Sequence, residues 1–241
     1  MGVGLFVFTQ APCLAHSNES DTLHVGTALP KADLITPRTE QFILYMLRDG
    51  QRQPTTLLTR TISTSPDGTL GIVQHYESAS GVNTDSSVVQ AGTLAPLTYR
   101  ARQRTQYEAF DFTATNVIGR ITPNEGDGQT VDLVLDAPVY NAVLLDELIQ
   151  ALPLNLNYVG RFKAYNPGRT IMEMTLSVTG SALLPLANGQ TMDTWTVRLE
   201  GGPVVTELWI AKQTQQNIKQ KAVLPNGGEF WRVRTYDSAT H

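Results

Sequence analysis

The sequence has one cysteine, four histidines and little net charge, and each scarcity argues against a class of function. A single cysteine, Cys13, excludes an internal disulfide and any cysteine-rich zinc or iron–sulfur site. The histidines show neither His-x-His nor His-Glu-x-x-His spacing, so we expect no histidine-based metal site. Lys and Arg number 18 against 22 Asp and Glu, and a net charge of −4 disfavours nucleic acid as a partner.

Long hydrophobic runs and the common catalytic motifs are also missing. Beyond the N-terminus, no segment approaches the ~20 apolar residues that a membrane helix needs. No glycine-rich phosphate loop precedes a helix, and Gly180-Ser181 lacks the flanking glycines of a nucleophile elbow. We therefore expect no transmembrane segment in the mature chain, no cofactor and no serine-hydrolase site.

The N-terminus does carry a short apolar run, Val3 to Phe8, followed by small residues that end at Ala15. This pattern is typical of the end of a secretory signal peptide, although no Lys or Arg precedes the run. It predicts a truncated signal at residues 1–15, cleavage after Ala15 and export to the periplasm or cell envelope. The alternative is a buried N-terminal strand. Residues 16–39 are polar and aperiodic, which indicates a linker or loosely docked arm before one β-rich domain at 40–241.

From Glu40 onward, short apolar runs alternate with turn signals. Asp49-Gly50 joins the first two runs, and Asp-Gly between apolar runs is a strong hairpin signal. In 170–179, Met172, Met174 and Leu176 alternate with polar residues, so one face of that strand is apolar. Short connections favour antiparallel neighbours. Strands are predicted at 40–48, 55–63, 69–77, 97–104, 106–112, 115–121, 129–135, 156–164, 170–179, 190–199, 204–211, 216–224 and 228–235.

One amphipathic helix is predicted over 141–153. Asn141 is the candidate N-cap, Leu145 and Leu148 lie on the apolar side, and Pro153 ends the helix. A helix of about three turns is too short to cover so large a one-sided sheet. The sequence therefore predicts an all-β, mainly antiparallel fold whose curved sheet forms a barrel or half-barrel, with the helix in or across its concave face.

The order of short phrases supports a family resemblance over roughly residues 40–235. The phrases include Ala91-Gly92-Thr93-Leu94-Ala95-Pro96-Leu97, Leu145-Asp146-Glu147-Leu148, Trp195-Thr196-Val197, Leu208-Trp209-Ile210 and Leu224-Pro225-Asn226-Gly227-Gly228. In this layout the chain resembles the exported bacterial proteins grouped as domain of unknown function 3108. The resemblance implies an exported β-rich domain, similar in plan to the half-barrel carriers of lipoproteins and other lipids, with no assigned biochemistry.

Two residue sets are the candidate ligand-binding residues. Arg100, Arg102 and Arg104 occupy alternate positions of one predicted strand, where their guanidinium groups suit anionic head groups; the alternative is a charged, solvent-facing strand. The second set would suit an apolar cavity for acyl chains, and would equally serve as ordinary core. It consists of Met172, Met174, Trp195 and Trp209.

These observations favour a non-catalytic envelope protein whose candidate ligand is a lipid or other hydrophobic molecule held in an apolar concavity. One alternative is a structural or protein-interaction module that uses its sheet edges. Another is a carboxylate-dependent hydrolase, because four carboxylates lie close in sequence and carboxylate pairs perform acid–base catalysis. Asp132, Asp136, Asp146 and Glu147 form that group. The alternative is that Asp132 is a solvated strand position and that Asp146 and Glu147 form the polar side of the helix.

Overall fold

The computed structural model describes residues 20–168, 170–186, 189–202 and 204–237. The predicted signal peptide at 1–15 lies outside these ranges. Within them the chain forms sixteen β-strands, one α-helix and two short 3-10 turns. The strands are β1 (Asp21–Thr22), β2 (Arg38–Arg48), β3 (Gln51–Thr64), β4 (Thr69–Ser78), β5 (Gly81–Gln90), β6 (Pro96–Arg102), β7 (Gln106–Phe112), β8 (Asn116–Pro123), β9 (Gln129–Val134), β10 (Tyr140–Asn141), β11 (Val159–Tyr165), β12 (Ile171–Pro185), β13 (Thr191–Glu200), β14 (Val205–Ala211), β15 (Asn217–Val223) and β16 (Glu229–Asp237). The helix is α1 (Leu145–Gln150), and the 3-10 turns are Ala32–Leu34 and Ala142–Leu144.

All the strands belong to one curved sheet made of two antiparallel meanders. Strands β2 to β9 form the first meander, strands β11 to β16 form the second, and β16 pairs with β2 to join them. Strand β9 ends the sheet on one side. At the other side, the two-residue strands β1 and β10 both pair with β11 in parallel. The predicted all-β curved sheet with one short helix in its concavity is confirmed.

Period-2 alternation decides which face of the sheet is concave and buried. In β12 the buried residues Met174, Leu176 and Val178 alternate with more exposed polar ones, and they belong to the main core. A β-bulge between Val178 and Gly180 lets this strand continue to Pro185, beyond the predicted end at 179. The hairpin between β2 and β3 has positive φ at both Asp49 and Gly50, as a two-residue type I′ turn requires.

Helix α1 is shorter than predicted, because the segment begins with a 3-10 turn. The side chain of Asn141 accepts a hydrogen bond from the N–H of Val143 (3.2 Å), so it caps that turn. Leu148 is buried against the sheet, whereas Leu145 is only half-buried. Asp146 and Glu147 form the polar side of the helix, as predicted, but this side faces arginines of the sheet and not solvent. Glu147 is fully buried, because arginines on the concave face meet the polar side of the helix.

The arm at residues 20–37 closes one end of the curved sheet. Its Leu29 N–H donates to the carbonyl of Gly92 (2.8 Å), and its Lys31 N–H donates to the carbonyl of Ala151 (3.0 Å). Leu29 and Ile35 are buried in the same core as α1. The arm therefore connects the first meander, the helix segment and strand β11.

Candidate functional site

The structure places two of the three predicted arginines, Arg100 and Arg102, away from the concave face. In β6, Tyr99 and Ala101 point into a core, so Arg100 and Arg102 point outward. Arg100 forms an ion pair with Asp111 (2.6 Å), and Arg104 lies beyond the end of the strand. Arg100 and Arg102 share one side of the sheet, and the role of the three arginines in ligand binding stays a prediction.

The predicted methionines and tryptophans are divided between the two faces. Met174 is buried in the main core, and Met172 and Trp195 are half-buried against it. Trp209 lies on the convex face, where its ring stacks on that of Trp231 with centroids 6.0 Å apart. The structure therefore does not bring the four side chains into one cavity, and Met174 is the one that borders an open groove.

This groove, which we call the arm groove, lies between the N-terminal arm and strands β11 and β12. It has a volume of about 340 Å³. The arm contributes Leu23 and Val25, and the two strands contribute Phe162 and Met174, so much of the wall is apolar. The lining consists of residues 22–25, 137–138, 161–163 and 173–175.

A second groove of about 330 Å³ continues on the other side of the arm. Val25 and Pro138 border both grooves, so these two residues form the partition between them. Phe112 and Leu97 contribute apolar wall to the second groove.

The rim of the arm groove carries charged side chains. Lys163 forms an ion pair with Asp136 (2.7 Å), which raises the pKa of the Lys163 ammonium and lowers the pKa of the Asp136 carboxyl. Arg161 is exposed and has no ion pair within the part of the chain that the structure describes. Its backbone carbonyl accepts from Leu23 N–H (2.8 Å), which fixes the strand that carries it beside the arm. Arg161 is thus a rim cation available to an anionic group.

A buried charge cluster fixes α1 to the sheet. Arg60 bonds Asp146 (2.8 Å) and also Glu147, and Arg232 bonds the same Asp146 (2.6 Å). Burial would raise the pKa of Asp146, but Arg232 and Arg60 outweigh it and hold the pKa well below its usual range. Burial raises the pKa of Glu147, although Arg60 opposes the shift. The cluster is completed by Arg38, Glu40, Gln150, Gln216, Asn217 and Arg234.

The four carboxylates considered for hydrolysis do not meet. Asp146 and Glu147 are engaged by arginines, whereas Asp136 is exposed and pairs with Lys163. Asp132 lies exposed on β9 and accepts from Asn116 (3.1 Å). Across the described ranges, no three metal-ligating side chains group together. In the described part of the chain, Asp146 and Glu147 therefore hold the helix to the sheet through ion pairs and do not form a carboxylate pair for catalysis.

Sequence reasoning missed the arm groove because half of its lining belongs to segments without periodicity. Leu23, Val25 and Pro138 lie in the arm and in a loop, where no alternation predicts what they contact. Arg161 and Phe162 are adjacent strand residues, so alternation predicts that they point to opposite faces, but it does not show that the arm covers this edge.

No helix in the described part of the chain is both long enough and apolar enough to cross a membrane. The fold is similar to that of a beta-barrel-like protein of domain of unknown function DUF1849 from Brucella abortus. That comparison covers 84% of this chain and 97% of the other, with a TM-score of 0.56 and 8% identity. This identity is too low to support more than a shared fold.

Two further solved structures align over most of the chain at lower similarity. One is a DUF1329 family protein from Desulfovibrio piger, with 6% identity, coverage of 87% of this chain and 89% of the other, and a TM-score of 0.35. The other is a protein with a YmcC-like fold from Bacteroides fragilis, with 10% identity, coverage of 88% and 100%, and a TM-score of 0.35. No curated protein matches the chain in sequence. The family model described as "Protein of unknown function (DUF3108)" matches residues 45–230, and the chain therefore belongs to the DUF3108 family.

Proposed function

We propose that this chain is a non-catalytic binding protein that holds a hydrophobic ligand with an anionic group in the arm groove. The observation that carries the proposal is an open groove of about 340 Å³ whose apolar wall includes Leu23, Phe162 and Met174. Small-molecule sites occupy clefts of roughly 300–1,000 Å³ with mainly apolar walls and a few polar groups. An acyl chain fits this description.

The apolar wall would supply most of the affinity, and Arg161 would select the head group. Burial of apolar surface contributes roughly 25 cal/mol per Å², so contact over about 200 Å² contributes on the order of 5 kcal/mol. A guanidinium group at the rim adds selectivity for carboxylate or phosphate, since Arg binds both through paired N–H donors. Arg100, Arg102 and Arg104 remain the alternative location for the anionic group.

The test compares a 16-carbon fatty acid with the neutral alcohol of the same length in equilibrium binding to the purified chain. We expect micromolar binding of both. Val25→Trp should lower the affinity for both ligands at least tenfold, because the larger side chain fills the groove. Val134→Trp is the matched control, since Val134 is 75% exposed on β9. Circular dichroism should confirm that both variants are folded.

Head-group selection is tested by Arg161→Ala and Arg102→Ala. We expect Arg161→Ala to lower the affinity for the fatty acid about tenfold and to leave the affinity for the alcohol unchanged, because only the carboxylate binds the guanidinium group. The same selective effect from Arg102→Ala would move the head-group site to the convex face. If neither probe binds at micromolar concentration, the carrier proposal fails.

We also propose that the protein acts in the cell envelope after export. The support is the apolar run Val3 to Phe8 followed by small residues up to Ala15. N-terminal sequencing of protein from the periplasmic fraction should begin at His16. Recovery of the chain from the cytosol with an intact Met1 would contradict export.

A second candidate function, a protein-interaction module, is favoured by strand β9. It ends the sheet, and Val134 on it is 75% exposed. Edge strands offer unpaired backbone groups to an added strand. A partner bound there should bury more than about 1,000 Å². It should be lost on Thr130→Pro, because the alternation that starts from the Leu135 N–H bond to the Thr115 carbonyl leaves the Thr130 N–H on the open edge, and proline removes this donor.

A further inference from the structure

A third open concavity lies between strands β4, β5 and β6, at the ends of these strands that are remote from the arm. We call it the acidic concavity; its volume is about 290 Å³ and its lining includes Tyr76, Asn83, Asp85, Tyr99, Ala101 and Gln103. Asn83 and Gln103 are exposed at its mouth, whereas Tyr99 and Ala101 are buried at its base. It therefore has a polar entrance and an enclosed floor.

Two carboxylates lie on opposite sides of that floor. Asp85 pairs with Ala101 in the sheet register, and Ala101 pairs with Glu108 on the next strand. Their Cα atoms are thus two interstrand steps apart, about 10 Å. Ala101 has no side chain beyond Cβ, so the space above it stays open between the two carboxylates. Gln103 lines the concavity and donates to Glu108 Oε1 (3.1 Å), so the Glu108 carboxylate lies directly behind Gln103, next to the concavity.

Both carboxylates are buried, and neither forms an ion pair with any residue the structure describes. Asp85 is 9% exposed and accepts one hydrogen bond from Gln74 (3.0 Å). Glu108 is 3% exposed; its Oε1 accepts from Gln103 and Gln106, while its Oε2 is buried without a hydrogen-bond partner. A buried carboxylate oxygen without a donor is costly, and a bound cation would remove that cost.

The electrostatics of the concavity agree with this geometry. Burial raises the pKa of Asp85 to about 6, although the Gln74 hydrogen bond and Arg60 oppose the shift. Glu108 raises this pKa further, and His75 on the outer face of β4 lowers it. Burial also raises the pKa values of the Tyr76 and Tyr99 phenols well above their usual range, so both stay neutral and offer aromatic walls. Aromatic faces attract ammonium groups.

We propose that the acidic concavity binds an organic ammonium ion, which donates hydrogen bonds to Asp85 and Glu108 from its place above Ala101. Two carboxylates on opposite walls with aromatic sides suit a diamine or a long amine better than Ca²⁺, which takes six to eight oxygen ligands. The proposal is independent of the arm groove, because none of the residues that carry it line that groove.

The experiment is isothermal titration of the full chain with 1,4-diaminobutane at pH 7.5, with 1,4-butanediol as the uncharged control. We expect diamine binding and no diol binding. Asp85→Asn and Glu108→Gln should each weaken diamine binding at least tenfold. Glu125→Gln is the matched control, because Glu125 is exposed in the turn between β8 and β9. This variant should bind the diamine as tightly as the parent does.

A steric variant and a pH series separate binding from simple protonation of the carboxylates. Ala101→Leu should abolish diamine binding without changing the charge, because it fills the floor. Diamine affinity should fall between pH 7.5 and pH 5, as Asp85 takes up a proton, and Asp85→Asn should remove most of that dependence. Absence of diamine binding, equal binding of the diol, or unchanged affinity in both carboxylate variants would overturn the proposal.

Discussion

Arg60 is the residue whose loss should affect stability most. Its side chain is 1% exposed and contacts two carboxylates of α1. Arg60→Met removes the cation and leaves Asp146 and Glu147 buried with less compensation, which costs about 3–5 kcal/mol. Urea unfolding should show this loss. Lys163→Met is the control, because the exposed Lys163–Asp136 pair should contribute less than about 1 kcal/mol; equal losses in the two variants would contradict the role of Arg60.

Asp85 should make stability depend on pH in the opposite sense to an ordinary surface aspartate. Its folded pKa of about 6 lies above the ordinary aspartate pKa of 3.8, so the folded state binds more protons between these pH values. The contribution of Asp85 to the free energy of unfolding is therefore fully present below about pH 4, and it is lost as the pH rises through about 6.

The measurement for Asp85 is the free energy of unfolding of parent and Asp85→Asn between pH 4 and pH 7. A shift of about two pKa units corresponds to about 3 kcal/mol, so the variant should gain up to that amount relative to the parent as pH rises. Parallel pH profiles would show that Asp85 is not strained by burial. The comparison with the variant isolates Asp85 from Asp146, whose lowered pKa produces the reverse trend below pH 4.

At the scale of elements, α1 depends on apolar packing as well as on its ion pairs. Leu148 is 1% exposed within the main core. Leu148→Ala should therefore cost about 2–5 kcal/mol in chemical unfolding. Leu156→Ala is the control and should change stability by less than about 0.5 kcal/mol, since Leu156 is 58% exposed. A loss below about 0.5 kcal/mol for Leu148→Ala would indicate that the helix is a mobile lid.

Most strands were predictable because alternation and turn residues agree locally. The prediction for 106–112 coincides with β7, and those for 97–104 and 216–224 differ from β6 and β15 by one or two residues at their ends. Strand β5 was missed because its inward positions include Asp85 and Ser87, which interrupt the apolar period. One of these two residues, Asp85, lines the acidic concavity.

Faces of the sheet were harder to predict than strands. Alternation shows that Arg100 and Arg102 share a side, but it does not show whether that side is concave. The same limit applies to α1. The helical period places Glu147 and Leu148 on different sides of the helix, but it does not predict that Glu147 meets the buried Arg60 of β3. Pairing between distant strands decides both which face the arginines occupy and what Glu147 contacts. The residue pattern of a single strand carries no information about that pairing.

At the scale of the whole molecule, the pairing of β16 with β2 holds the two meanders together. It also brings Arg232 and Arg234 to the cluster that contains Asp146 and Glu40. Truncation after Leu224 should abolish cooperative urea unfolding, because β2 and β15 both lose a neighbour. Near-ultraviolet circular dichroism should show the loss of fixed aromatic packing. An unchanged urea midpoint in the truncated chain would mean that β16 is not needed to hold the two meanders together.

The same pairing sets an order of events for the growing chain. Each meander consists of hairpins that close over a few residues, but Arg234 and Glu40 are 194 positions apart. Closing that distance costs about 3 kcal/mol more in chain entropy than closing a four-residue turn. The hairpins should therefore form first and the β16–β2 contact last, at a rate limited by the search for a distant partner. Until β16 docks, β2 has no partner on one side, so a holding factor that shields that edge would raise the yield of folded protein.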